Sequence, residues 1–210
     1  MNLQVEEYVF DHIGLERSVL NDLYRYTHLN VPYPGMISGH EQGRLLSMLS
    51  HMVNPEYILE IGTFTGYSAI CLAEGMKAGG RLHTIEQEDE IADIASVFFE
   101  KAGIADRVVL HIGDALEIIP SLDIVFDLVF IDASKKQYLD YYCMVFNKVK
   151  PGGYILVDNI LWYGKVANPQ EQDETTCLLR RFNDFIREDT RFEKAIMQNR
   201  DGLFILRKKK

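Results

Sequence analysis

The chain has 210 residues, 47% of them hydrophobic and 11% aromatic. That is enough for one α/β unit with a sizeable core, too short for two comfortable domains, and the wrong composition for a disordered chain. A net charge of −9 argues against nucleic acid as a partner.

The single basic cluster, Arg207-Lys208-Lys209-Lys210, reads as a solvated chain end. No apolar run is long enough to span a bilayer, since even Ile124 to Ile131 is interrupted by Asp127. The stretch from Met1 to Glu7 lacks the basic and apolar regions of a secretion signal. Cys71, Cys143 and Cys177 form no Cys-x-x-Cys pair and read as packing residues in a reducing compartment. A soluble cytoplasmic protein without a membrane partner is expected.

The first 55 residues carry helical patterns, broken at Pro32-Tyr33-Pro34-Gly35, and Leu45, Met48, Leu49 and Met52 make an apolar helix face. They are expected to form a helical cover over one edge of a sheet, within a single domain of residues 1–210 whose α/β core is residues 56–210. From Tyr57 onward, short β-rich runs alternate with amphipathic stretches. The runs are 57–61, 81–85, 108–112, 126–131 and 154–157. The stretches include Ile91, Ile94, Ala95 and Phe98, then Tyr138, Tyr142, Val145 and Val149.

That alternation predicts βαβ units, right-handed crossovers and a mostly parallel sheet. Lys150-Pro151-Gly152-Gly153 is expected to end one helix and turn into the next strand. A further helix holds Leu178, Leu179, Phe182, Phe185 and Ile186. Two last runs, 192–197 and 203–206, flank Asp201-Gly202 and predict an antiparallel pair.

The first strand ends in Glu60-Ile61-Gly62-Thr63-Phe64-Thr65-Gly66-Tyr67-Ser68, and a helix follows. A glycine turn at a helix N-terminus lets a ligand approach free N–H groups. Glu86 closes the next strand, about 20 residues on, where a carboxylate can accept bonds from ribose hydroxyls. Together these favour an adenosine-type ligand over a bare tight turn with an exposed Glu. A dinucleotide loop wants a second glycine where Phe64 stands, and Glu60 would repel a diphosphate but suits a ligand carrying an ammonium and a sulfonium. Asp114, before Ala115, can meet the adenine or cap the next helix, with Glu117 completing a capping pattern.

The fourth strand ends in Asp132-Ala133-Ser134-Lys135-Lys136 and the fifth in Asp158-Asn159. Ligands of open α/β sheets bind at the carboxyl ends of the strands. If these strands are neighbours, Asp132, Asp158 and Asn159 bring three oxygen ligands together. Two adjacent carboxylates call for a cation, and an all-oxygen set suits Mg²⁺, with Ca²⁺ or Mn²⁺ as alternatives. The same residues also read as loop and helix caps. The six histidines show no paired metal spacing, and no Gly-x-Ser-x-Gly elbow is present.

In these motifs the chain resembles the metal-dependent O-methyltransferases of the catechol and caffeoyl-CoA type, from about Met36 to Gly202. The carriers are the Glu60–Ser68 turn, Glu86, Asp132-Ala-Ser-Lys135, and Asp158-Asn159-Ile-Leu-Trp162-Tyr-Gly164. The resemblance implies a Rossmann-like class I methyltransferase. Its sheet would have seven mostly parallel strands with a C-terminal antiparallel pair, and helices on both faces.

It implies S-adenosylmethionine as cofactor and a divalent cation held by Asp132, Asp158 and Asn159. Lys135 would be the general base. Glu86 would bind the ribose and Ser68 the methionine carboxylate, with Met36 and the Gly62 region along the methionine. Glu60, Gly66, Asp114, Ala115 and Asp132 complete the expected cofactor shell. Trp162, Tyr163 and Asp201 would face a small aromatic hydroxyl acceptor, and a homodimer is expected. Ser134 departs from the catechol enzymes, which carry a bulky aromatic there.

The chemistry is coherent. A phenol ionises near pH 10, so a chelating Mg²⁺ and a base both help to form the phenolate. Lys135 beside a cation would have its ammonium form disfavoured; it also reads as a solvated lysine in a first helical turn, and Trp162 equally as simple packing. Rival functions are methylation of an amine on protein or nucleic acid, NAD-dependent redox chemistry, and non-catalytic binding of an adenosine ligand.

Overall fold

A computed structural model of the chain describes residues 3–210. The first 53 residues supply three helices: α1 (Leu3–His12), α2 (Ser18–Asn30) and α3 (Gly39–Val53). A short 3₁₀ turn, Pro34–Met36, sits in the proline break. Then strands and helices alternate: β1 (Tyr57–Ile61), α4 (Tyr67–Glu74), β2 (Arg81–Glu86), α5 (Asp89–Ala102), β3 (Val108–Ile112), α6 (Ala115–Ser121), β4 (Phe126–Ile131), α7 (Tyr138–Phe146) and β5 (Val149–Val157). The chain closes with α8 (Glu174–Glu188), β6 (Phe192–Met197) and β7 (Leu203–Lys208).

The seven strands form one sheet in the order β3-β2-β1-β4-β5-β7-β6. The first five are parallel, and β7 runs antiparallel to both β5 and β6. Strand order reverses between β1 and β4, which opens a crevice at their carboxyl ends. The expected Rossmann-like sheet with its antiparallel end is therefore the observed one.

Alternation along the strands feeds two cores. In β4, Phe126, Val129 and Ile131 face α6, α7 and α8, while Leu128 and Phe130 face the α2–α5 side. On α8 the stripe Leu179, Phe182 and Ile186 is fully buried, each side chain contributing roughly 1.5–3 kcal/mol relative to exposure. Asp127, a buried charge within β4, is explained by its partners: it accepts the N–H groups of Glu56 and Tyr57 at 3.0 and 2.9 Å and pairs with Lys150. It thereby pins the start of β1.

Four sequence expectations are corrected. Lys150-Pro151-Gly152-Gly153 does not precede β5 but lies inside it. Phe126 pairs with Val149 and Leu128 with Tyr154, so three extra residues on β5 are absorbed as an irregularity, which is where a strand tolerates Pro and Gly. The apolar face of α3 is only half used: Leu45 and Leu49 pack against the core, while Met48 and Met52 are 63% and 79% exposed. Its innermost face is Gln42, Gly43, Leu46, Ser47 and Ser50, with Gly43, Ser47 and Ser50 where α3 and α4 come close. A Cβ on Gly43 would stand 2.6 Å from the Tyr67 ring. The N-terminal cover thus lies over a sheet face, on α4 and α5, rather than over an edge. Of the cysteines only Cys71 is a buried packing residue; Cys143 is exposed and Cys177 half-buried.

Candidate active site

The carboxyl ends of β1 to β5 converge on a cleft of about 820 Å³, large enough for a nucleoside cofactor together with a small acceptor. Its floor is the turn after β1. Gly62 has φ +100°, and a Cβ there would lie 2.1 Å from the Asp132 carbonyl oxygen. Backbone meets backbone at this point, so only glycine fits. Gly66 opens α4 with φ +94° against the Phe99 ring. The turn is held from behind by Gly62 and Thr63 N–H groups donating to the Ile85 carbonyl, each at 3.1 Å. From above, the Thr27 hydroxyl of α2 donates to Thr65 at 3.0 Å.

Glu86 stands at the end of β2 on the cleft wall. One oxygen accepts the Phe64 N–H at 2.6 Å, and the other accepts those of Gln87 and Glu88 at 2.8 and 3.1 Å. The carboxylate is therefore fixed in orientation before any ligand arrives. Asp114 takes the capping role, accepting the Leu116 N–H at 2.8 Å, and also borders the cleft with Ala115. Met36, 58% exposed, and Ser68 line the same cleft.

Glu60 does not line it. The side chain is fully buried beneath the turn, with Oε2 accepting the Thr84 hydroxyl at 2.6 Å and Oε1 without a hydrogen-bond partner. Burial pushes its carboxyl up to about 8; the Ser68 and Thr84 hydroxyls oppose the rise, and Asp132 and Glu86 add to it.

Across the cleft, β4 and β5 are neighbours, which brings Asp132, Asp158 and Asn159 to one spot. Asp132 is anchored by its N–H to Ile61 O at 2.9 Å, and Asp158 by its N–H to Ile131 O at 3.0 Å. Asn159 takes a left-handed backbone, φ 56°. Asp158 is 4% exposed. Its Oδ2 accepts the Gln42 amide at 2.7 Å, its carbonyl accepts the Tyr138 hydroxyl at 3.0 Å, and its Oδ1 is buried with no partner. Burial first, and Asp132 second, push the Asp158 carboxyl well above the usual carboxylate range.

Among the described residues no three His, Cys, Asp or Glu side chains gather as a metal cluster. The set here is two carboxylates and an amide. An orphaned buried carboxylate oxygen beside a second carboxylate is nonetheless the donor chemistry that a hard cation satisfies, so the residues fit one.

Lys135 donates to Asp132 Oδ1 at 2.8 Å and lies over the Tyr138 ring. Burial alone would lower its pKa, but Tyr138 and Asp132 more than reverse that and hold the ammonium form. Without a cation the nearest charge is the Asp132 carboxylate, which favours the ammonium; a cation on Asp132 would act in the opposite sense. Lys136 points outward to Glu174 at 2.7 Å.

Trp162 and Tyr163 flank the cleft with ring centroids 5.4 Å apart, both with positive φ; Tyr163 is 81% exposed. This loop is tied to the β6–β7 turn by Leu161 N–H to Asp201 O at 2.9 Å and by the Tyr163 N–H to the Asp201 carboxylate.

Sequence reasoning missed Gln42, Tyr138, and the Thr63–Thr84 hydroxyl contact at 2.5 Å under the turn. The signal that could have found Gln42 is the small, polar stripe of α3 at helical spacing, Gln42, Gly43, Ser47 and Ser50. It missed also that His83 and His111 meet across β2 and β3 at 3.0 Å.

A model of the O-methyltransferase family matches residues 11–209. Catechol O-methyltransferase of Niastella koreensis is 31% identical over 202 residues, covering 92% of this chain and 89% of its own. A probable caffeoyl-CoA O-methyltransferase of Dictyostelium discoideum is 30% identical, covering 99% and 92%. The crystal structure of the O-methyltransferase TomG from Streptomyces achromogenes, involved in tomaymycin synthesis and solved with S-adenosylmethionine, superposes with a TM-score of 0.91 at 31% identity, covering 99% and 96%.

No described helix is long and apolar enough to cross a membrane. A family match over nearly the whole chain, on a Rossmann-like sheet with a glycine turn and a fixed acid at the carboxyl ends, leaves neither a redox enzyme nor a non-catalytic binder. The chain belongs to the O-methyltransferase family and is an S-adenosylmethionine-dependent O-methyltransferase.

Proposed function

We propose that the enzyme methylates one hydroxyl of a catechol-like or caffeoyl-type aromatic and that it needs a divalent cation, Mg²⁺ foremost, with Ca²⁺ or Mn²⁺ as alternatives. The observation that carries this is Asp158: a buried carboxylate, one oxygen without a partner, beside Asp132 and Asn159. Those three residues would hold the cation. When bound, it supplies Lewis-acid stabilisation of a phenolate and an anchor for two adjacent oxygens.

The chain's own groups do the rest. Glu86 accepts the ribose hydroxyls, while Met36, Gly62, Gly66 and Ser68 bound the methionine part; Asp114 and Ala115 border the adenine. Asp132, between the two ends, faces cofactor and cation together. Glu60 acts from beneath, by supporting Ser68 and Thr84, rather than by touching the ligand. Lys135, at the acceptor end, would give up its own proton once a cation neutralises Asp132, and would then take the hydroxyl proton as oxygen attacks the methyl carbon in line and the carbon–sulfur bond breaks, releasing S-adenosylhomocysteine.

Trp162 and Tyr163 form an aromatic wall for a flat acceptor, and Asp201 fixes that wall through the Tyr163 N–H. The homodimer belongs to the same proposal: the outward Met48 and Met52 of α3 give an apolar strip for a second copy.

Turnover of a panel of catechols and caffeoyl esters, with EDTA and with Mg²⁺ added back, tests the assignment. Activity should vanish in EDTA and return with Mg²⁺. Full activity in EDTA would reduce Asp132, Asp158 and Asn159 to structural caps.

A further inference from the structure

Gln42 is fully buried on the inward face of α3, yet it touches the chemical end of the cleft. Its Nε2 donates to Asp158 Oδ2 at 2.7 Å, and its Oε1 receives the Asn199 amide at 3.5 Å. Because an amide has one donor end and one acceptor end, the Asn199 contact sets which end faces the carboxylate. Asp158 is then held from two sides, by Gln42 on Oδ2 and by the Tyr138 hydroxyl on its own carbonyl. Only Oδ1 stays free. Asn199 lies in the β6–β7 turn, and the next residue, Arg200, donates to the Ser38 carbonyl just before α3.

We infer that Gln42 is a positioning residue for the cation site. It selects the free oxygen of Asp158, and it makes that site complete only when α3 and the β6–β7 turn are both docked. This rests on the cation assignment above. An apolar side chain would fill the space as well, and the other two buried polar side chains on the inward face of α3 are accounted for by α4. Ser47 donates to Glu74 at 2.6 Å and Ser50 to the Leu72 carbonyl at 2.6 Å. Of these three, Gln42 is the one bonded to Asp158, at the end of β5.

The test uses the full chain without cofactor and reads Mn²⁺ binding by electron paramagnetic resonance. S-adenosylmethionine binding by calorimetry and the thermal midpoint are measured alongside. Gln42→Met keeps the length and removes the donor. Partners that orient a ligand typically change metal affinity by about 10–100-fold, so Mn²⁺ affinity should fall by that factor while cofactor affinity stays within about twofold.

Ser50→Ala is the control. It loosens the same helix from α4 and should lower the midpoint with Mn²⁺ affinity unchanged. Asn199→Ala, at a half-buried site, removes only the orienting amide and should weaken Mn²⁺ several-fold even if Gln42→Met folds poorly. Unchanged Mn²⁺ affinity in Gln42→Met, or equal losses in Gln42→Met and Ser50→Ala, would overturn the role of Gln42 and leave the cation assignment standing. Failure of the unmodified chain to bind Mn²⁺ would overturn both.

Discussion

Glu60 offers the sharpest test of how the cofactor floor is built. The carboxyl is wholly buried, and burial pushes it up to about 8 from the 4.5 of a solvated glutamate. The folded protein therefore holds a proton on Glu60 that the unfolded chain has already lost. Between those two values the folded state binds more protons, so stability falls as pH rises; the contribution is fully present below pH 4.5 and gone above about pH 8.

One proton corresponds to about 1.4 kcal/mol per pH unit, so on the order of 3 kcal/mol should be lost between pH 5 and pH 7.5 from this group alone. Glu60→Gln keeps the shape and the Thr84 contact but cannot ionise. Urea unfolding of both proteins, cofactor-free, at several pH values isolates what Glu60 contributes: the two should match near pH 5, and the variant should be the more stable by that order at pH 8. A constant difference across pH, or a parent chain that gains on the variant as pH rises, would refute a protonated Glu60.

Gly62→Ala should cost at least about 3 kcal/mol in urea unfolding, since a Cβ 2.1 Å from the Asp132 carbonyl at φ +100° cannot be absorbed by rotating a side chain; a loss under about 1 kcal/mol would mean the two strand ends move freely. Glu86→Ala should weaken S-adenosylmethionine binding by roughly 1.5–3 kcal/mol, the worth of a hydrogen-bonded charge, and unchanged calorimetric affinity would remove it from the ribose. Lys135→Ala should slow single-turnover methylation of a catechol by about 10²–10⁴-fold with cofactor affinity intact. Lys136→Ala, whose amine is 2.7 Å from Glu174 at the surface, should change it little, and equal mild effects would discard Lys135 as the base.

The parallel sheet and its antiparallel end were legible because β-runs and helical stripes alternate with their own periods, and Gly62, Glu86, Asp132 and Asp158 announce themselves by standing at strand ends. What stayed hidden depends on contacts distant in the chain. The register of β4 against β5 draws Pro151 into a strand, which no local rule foresees. Hydrophobic periodicity found only the flank of the buried face of α3, because close packing on α4 places Gly43, Ser47 and Ser50 at its centre. Gln42 and Asp158 are 116 residues apart, so nothing near either one reveals the other. Glu60 looked like a ligand contact because sequence gives the strand end but not the depth.

The contact of Gly62 with the Asp132 carbonyl also acts as a ruler. On the proposed assignment it sets the spacing between the methyl donor and the acceptor oxygen through main chain alone, with no side chain whose exchange could lengthen or shorten it. The residues that meet the acceptor, Trp162, Tyr163 and Asp201, stand instead on two loops, after β5 and between β6 and β7, and can change without disturbing that spacing. An enzyme built this way can drift from one aromatic acceptor to another over generations while the geometry of methyl transfer is inherited unchanged.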